Sequence, residues 1–380
     1  MCASIISLLR LGALLTAAAL ALSACGGSDT VKPAELRDFK STAKAQVAWR
    51  TAVGDAKSYV LTPAVQGDSV FVAGREGRVL RLNANTGKEI WRIDTKETIS
   101  GGVGADGDLV LVGTNKGVVL AYDLNGKPRW HSQLTSEILS APRAAGNIVA
   151  VRSGDGRIFG LDAASGERKW EYTVNLPALL LRTNAGLIIH NDLVLAGLPG
   201  GRVTALNLAN GSVAWDTLVA PPKGDNELER ISDIAGALAV QGESACAAAY
   251  QGRVACLDIA KGSITWGRDG ASVSAVSADA ITLYLTDPEG VVMAYDRETG
   301  ATVWKQDKLL NREVSAPVPA KEHVAVGDLD GYVHVLSLED GSFAARLKTD
   351  GSAIMAQPVA GGPGVIVQTQ EGGVYAISIK

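Results

Sequence analysis

Seven tryptophans stand at near-regular intervals along this chain: Trp49, Trp91, Trp130, Trp170, Trp215, Trp266 and Trp304. From Trp91 onward each follows a glycine by four positions, at Gly87, Gly126, Gly166, Gly211, Gly262 and Gly300. These are all the tryptophans the sequence has, and their spacing runs from 38 to 51 residues. A second motif, a strand that opens on glycine, precedes the Trp strand: GRVLRLN from Gly77, GVVLAYD from Gly117, GRIFGLD from Gly156 and GRVTALN from Gly201. It continues as GRVACLD from Gly252, GVVMAYD from Gly290, GYVHVLS from Gly331 and GVYAISI from Gly373. A repeat near 40 residues that reads as strand throughout specifies a radial array of four-stranded units. The expected fold is all-β: an eight-bladed β-propeller of antiparallel blades.

The repeat has a physical reading. GRVLRLN alternates apolar and polar positions, as a half-buried strand must. Pairs such as Glu76-Gly77, Asp155-Gly156 and Asp330-Gly331 precede it, where glycine supplies the positive φ of a tight hairpin. Asp123, Asp162, Asp258 and Asp296 recur at one position of the unit, which points to turn capping and not to acid–base chemistry. The first Trp strand lacks a preceding glycine strand, and the last glycine strand, Gly373 to Ile379, lacks a following Trp strand. The two halves complete one blade, so Val47-Ala48-Trp49-Arg50 is expected to close the ring and remove an exposed sheet edge. One unit departs from the pattern, with Ala345 where an aromatic is due and Phe343 nearby. That blade is expected to be the least well docked.

The N-terminus adds an address. Leu11 to Leu22 is an apolar run too short to span a bilayer but suited to a signal peptide. It ends in Leu22-Ser23-Ala24-Cys25, which resembles a bacterial lipobox, with diacylglycerol on the Cys25 thiol and cleavage before it. Gly26, where an aspartate would favour inner-membrane retention, implies the outer membrane. The expected organisation is a signal peptide over 1–24, a flexible polar tether over 25–44 and the propeller over 45–380. No second long apolar stretch follows, so lipid alone would hold the chain to the membrane. A net charge of −4 without a basic cluster argues against nucleic acid as a partner.

Removing Cys2 with the signal and Cys25 with lipid leaves Cys246 and Cys256. They flank the turn at Tyr250-Gln251-Gly252 on neighbouring strands. They can form a disulfide in an oxidising compartment or pack as two small buried apolar residues. Catalytic patterns are sparse. His131, His190, His323 and His334 fall in different blades without metal-ligand spacing, and only His334 reads as lying within a strand. Gly102-Val103-Gly104-Ala105-Asp106-Gly107 matches G-x-G-x-x-G, but it leads into a strand and not a helix, so it reads as a blade turn. No metal and no cofactor are expected.

The unit Leu161-Asp162-Ala163-Ala164-Ser165-Gly166-Glu167-Arg168-Lys169-Trp170 is similar to the tryptophan-docking motif of pyrroloquinoline quinone (PQQ) dehydrogenases. Those enzymes carry a vicinal cysteine pair over the cofactor, and this sequence has no Cys-Cys. Shared blades do not transfer chemistry, so a PQQ-dependent dehydrogenase-like enzyme stands as the alternative. Lipobox, tether and eight such blades together resemble the BamB family, lipoproteins of the machinery that inserts β-barrels into the outer membrane. The two longest spacings, before Trp215 and Trp266, mark loops grown on one face of the array, commonly the binding face. The first contains Asn175 to Arg182, where three consecutive leucines beside an arginine suit a protein interface or cap the propeller's own core. The family's Leu-x-Leu-Arg motif maps onto Leu179, Leu181 and Arg182, and implies contact with BamA, the central barrel protein. The second contains Glu227 to Ala235. The family's Ser-Asp-Val-Asp places its first acid at Asp233 and its second at Ala235, a departure. The resemblance thus implies a non-enzymatic scaffold that docks on BamA among the other assembly-machinery components. Exposed blade edges receiving nascent outer-membrane proteins by β-augmentation, or simple orientation of the partner, remain open as mechanisms.

Overall fold

The computed structural model describes residues 32–177 and 179–380, with no α-helix among them. The signal peptide, Cys25 and the first part of the tether lie outside the described residues. Thirty-two strands form eight four-stranded antiparallel sheets, and in seven of them the strand order follows the chain. Blade 1 shows the pattern: Ala64–Gln66, Ser69–Ala73, Arg78–Asn83 and Glu89–Asp94, from the inner strand to the outer. The eighth sheet joins the two ends of the chain. Ala45–Ala52 pairs with Gly373–Ile379 in the register Ala45↔Ile379, Val47↔Ile377 and Trp49↔Ala376, with a bulge between Val47 and Trp49.

The core is distributed and not central. Eight buried apolar clusters each bridge two neighbouring blades. One of them joins Leu195, Val203 and Ala205 of blade 4 to Ala245, Ala255 and Leu257 of blade 5. Every outer-strand tryptophan reinforces such a junction. Trp170 donates its indole N–H to the Leu208 carbonyl at 2.8 Å, and its ring lies over Gly211 of the next blade. Gly211 has a φ of +70°, and a Cβ there would approach Trp170 to 2.5 Å, so both the turn and the ring require glycine. The same bond links Trp49 to Ala84, Trp130 to Ala163, Trp215 to Ile259 and Trp304 to Leu338. Just ahead of Gly126, Gly166, Gly262 and Gly300, the repeated carboxylates cap the turn. Asp162 accepts from the Ala164 and Ser165 amides at 3.0 Å, and these donors hold its carboxyl below the ordinary range.

Two sequence expectations change. Residues 34–44, read as part of a flexible tether, pack as a strap along the outer strand of blade 7, Phe343–Lys348. The Ala34 amide donates to the Leu310 carbonyl at 2.9 Å, and the Thr42 and Ala43 amides to Ala344 at 3.0 and 3.1 Å. Phe39 stacks on Phe343 at 5.3 Å, and Leu36 joins the cluster between blades 6 and 7. Leu36 and Phe39 are the apolar anchors of an otherwise polar segment. The Gly102-to-Gly107 match is also not a blade turn. Gly102, Val103 and Gly104 lie inside the strand Ile99–Asp106, which carries two register shifts, and the turn comes only at Gly107. A Cβ on Gly104 would come within 2.0 Å of the Pro142 carbonyl, so close backbone approach explains the glycine.

Candidate partner-docking face

In an antiparallel blade, the hairpin between strands two and three opens on the same face as the crossover to the next blade. The two longest crossovers among the described residues lie between Thr173 and Ile188 and between Leu218 and Ala239. They leave neighbouring blades 3 and 4, so they meet on one rim.

Asp233 holds them together. Its Oδ2 accepts from the Leu181 amide at 2.8 Å, and its Oδ1 accepts from the Gly200 amide at 2.9 Å. Its own carbonyl accepts from the Tyr250 amide at 2.8 Å. One residue of the second insertion therefore ties down the first insertion and hairpin turns of blades 4 and 5. The expectation that Asp233 is itself a surface contact needs correction: it is only 2% exposed. A loop sequence cannot tell an acid that faces a partner from one that faces the next loop. Beneath it lies Arg152, which donates to the Gly197 carbonyl at 2.7 Å. Burial pulls the Arg152 guanidinium down to about 10, against the opposing charge of Asp233. The departure at Ala235 loses no surface group, because that residue is 1% exposed and part of the core.

With the loop pinned at Leu181, its neighbours turn outward. Leu179 is 43% exposed, with Leu176 and Leu180 beside it, while Leu181 is half-buried. Arg182 lies at the edge of these leucines with about half its side chain in solvent. Its guanidinium makes a fork on Glu137, Nε to Oε1 at 3.0 Å and Nη2 to Oε2 at 2.8 Å. It also lies 5.9 Å from the Tyr59 ring centroid. Donation to the Glu137 carboxylate raises the Arg182 pKa. Sequence reasoning missed Glu137 and Tyr59. They come from the crossovers after blades 2 and 8, whereas Arg182 follows blade 3, and the packing of the blades around the ring brings the three together. On the second insertion Leu228 is 67% exposed, carried by a turn in which Asn226 Oδ1 accepts from the Glu229 amide at 3.0 Å.

The remaining candidates stand elsewhere. Cys246 and Cys256 are direct cross-strand partners in blade 5, joined by a disulfide with Cα atoms 4.0 Å apart. His131, His190 and His323 also lie in strands, so His334 is not the only strand histidine, and His323 and His334 share blade 7 and not different blades. His334 is fully buried and hydrogen-bonded to Asp328 at 2.9 Å. Among the described residues no group of His, Cys, Asp and Glu is arranged to hold a metal ion.

Fold and rim define a class: a β-propeller of tryptophan-docked repeats, with leucines and a forked arginine displayed on loops of one face. The family model described as outer membrane protein assembly factor BamB matches residues 40–101, 75–306 and 288–380. The Burkholderia pseudomallei protein of that description is 41% identical over 362 residues, 94% of this chain and 95% of its own. The Escherichia coli K12 protein is 31% identical over 364 residues, 92% of this chain and 93% of its own. The crystal structure of BamB from Moraxella catarrhalis superposes with a TM-score of 0.80 at 28% identity, covering 88% of this chain and 100% of that one. The chain belongs to the BamB family. A europium-containing methanol dehydrogenase also superposes, with a TM-score of 0.71, over 87% of this chain and 85% of that one. At 15% identity that likeness is one of fold alone.

Proposed function

We propose that this chain is a non-enzymatic scaffold of the outer-membrane β-barrel assembly machinery, held to the outer membrane by lipid on Cys25 and facing the periplasm. It docks on BamA through the rim of Leu179, Leu181 and Arg182, with Asp233 as the residue that positions them. The observation that carries this reading is the pinned loop itself. A buried carboxylate holds the Leu181 amide, and Leu179 and Leu180 just ahead of it stand exposed. Exposed apolar side chains beside a charged rim suit a protein interface, and a backbone already held at Leu181 has less chain freedom to lose on binding.

In this reading Leu179 supplies the apolar anchor and Arg182 the polar one. Glu137 occupies two of the five guanidinium donors, which leaves others for an acidic group on the partner. Leu181, half-buried, orients its neighbours more than it contacts BamA. Affinity purification of the lipidated protein from outer membranes, with identification of the co-purifying chains, tests the proposal. Recovery of BamA with other barrel-assembly components is expected. Recovery of the propeller alone, together with quinone-dependent dye reduction, would overturn it.

A further inference from the structure

Blade 7 contains a buried charged network that the docking face does not use. His334, on the strand Tyr332–Ser337, is fully enclosed. Its Nε2 meets Asp328 Oδ2 at 2.9 Å, and its Nδ1 accepts from Arg346 Nε at 3.3 Å. Asp328 is also buried and accepts from Arg312 Nε at 2.8 Å. Both arginines then reach the strap. Arg312 Nη1 donates to the Ala34 carbonyl at 2.9 Å, and Arg346 Nη1 to the Arg37 carbonyl at 3.1 Å. The Arg346 guanidinium also lies 5.0 Å from the Phe39 ring and 5.3 Å from Phe343. One imidazole thus sits behind the arginine that clamps the middle of the strap.

We propose that His334 is a pH-sensitive latch, which frees residues 34–43 from blade 7 when its ring takes up a second proton. Because Arg346 can only donate, Nδ1 must accept from it, which leaves the ring neutral with Nε2–H donating to Asp328. A proton on Nδ1 sets two donors against each other, and Arg346 loses the bond that aims it at the strap. The groups facing this centre are Asp328 and Asp330 from the hairpin turn, Arg312 from the crossover, Tyr332 on the same strand, Arg346 on the outer strand, and Asp38 of the strap. Burial lowers the His334 pKa, Asp328 opposes that, and the charges of Arg346 and Arg312 lower it further. The sign follows. A histidine held neutral contributes stability above its unfolded pKa near 6.5, and that stability is lost as pH falls below it. Asp328 stays ionised over this window. Its burial favours the neutral form, but His334, the Tyr332 amide and Arg312 outweigh it and hold the carboxyl below the ordinary range. For function, the consequence rests on the anchor reading above. Freeing the strap adds about ten residues of chain, roughly 3.5 Å each when extended, to the reach between Cys25 and the propeller.

Residue-level hydrogen exchange on the full propeller chain tests the latch and needs neither BamA nor lipid. Corrected for intrinsic rates, protection at the Ala34, Thr42 and Ala43 amides should fall at least tenfold between about pH 7.5 and pH 5, while Val333 and Val335 keep theirs. His334→Gln retains one donor and one acceptor but cannot titrate, so it should keep the strap protected at both values. The midpoint of strap release should coincide with the His334 ring titration followed by NMR, which keeps the test open if the variant does not fold. Equal protection at both pH values, the same pH response in His334→Gln, a mismatched midpoint, or simultaneous loss in the core of blade 7 would each overturn the proposal.

Discussion

Arg182→Ala separates docking from folding, because the structure assigns this side chain little of the stability and much of the rim. Its fork on Glu137 joins two partly exposed groups, 54% and 29% accessible, and ion pairs in such settings contribute about 0 to 1 kcal/mol. No backbone hydrogen bond of the loop uses the guanidinium, since the loop hangs on Asp233. A shift in Tm of no more than about 2 °C is therefore expected for a chain of this size. An arginine at the centre of an interface, by contrast, typically costs about 2 kcal/mol or more on truncation, roughly 30-fold in affinity. Titrating soluble propeller against the periplasmic domains of BamA, with parallel thermal melts, gives both numbers. Leu179→Ala should behave alike, through lost apolar area. Glu137→Gln leaves Arg182 in place but weakens its fork, so it should cost only a few-fold. His131→Ala, on an exposed outer strand, is the control. Wild-type binding by both Arg182→Ala and Leu179→Ala would refute the interface assignment. Unfolding of either would show that the leucine loop caps the propeller's own core.

Asp233→Ala should destabilise by about 3 kcal/mol or more and make both insertions sensitive to protease. It leaves the Leu181 and Gly200 amides without acceptors and Arg152 without its nearby opposite charge; unchanged urea melts would contradict that role. Deleting residues 45–53 removes the outer neighbour of Gly373–Ile379 and should lower the melting temperature and protease resistance of the whole ring. The purified periplasmic form should show no free thiol when denatured without reductant; two titratable thiols per chain would mean that Cys246 and Cys256 stay unbonded. Cys25→Ser should leave the chain soluble or unprocessed, and mature protein still recovered with salt-washed outer membranes would rule out the anchor.

The ring was legible because the feature that builds it is periodic. Each Gly-x-x-x-Trp encodes both halves of a junction, the indole of one blade and the glycine turn that receives its predecessor. The rim was legible only by position. Extra residues before Trp215 and Trp266 located the loops, and the leucines marked an apolar surface. What failed to show was direction. Asp233 and Glu229 lie four residues apart in the same loop, yet Asp233 is buried beneath the next loop and Glu229 caps an exposed turn through the Asp225 amide. Glu137 and Tyr59 left no trace at all, since nothing local in Ser136-Glu137-Ile138 or Ser58-Tyr59-Val60 refers to an arginine one crossover away in the first case and three in the second. The packing of the blades around the ring creates that neighbourhood, so only the assembled fold contains it.

Two irregularities that look unrelated in the sequence are one structural fact. Ala345 stands where a tryptophan is due, and blade 8 is built from Ala45–Ala52 and Gly373–Ile379, segments far apart in the sequence. An indole on blade 7 would need a glycine-bearing turn on blade 8, between its third and outer strands. No such turn joins these two strands, and Lys44 and Lys380 stand in its place. Lys44 and Lys380 exchange backbone hydrogen bonds there at 2.8 and 3.1 Å. A tryptophan at 345 would have no turn to cover, and alanine instead lets the two blades meet through Ala345, Val335, Ile377 and Ile379, with Ala43 and Ala45 against them. The strap completes the substitution, with Phe39 on Phe343 giving this edge of blade 7 the aromatic contact its own outer strand lacks. The eighth junction therefore depends on the N-terminal segment in a way the other seven do not.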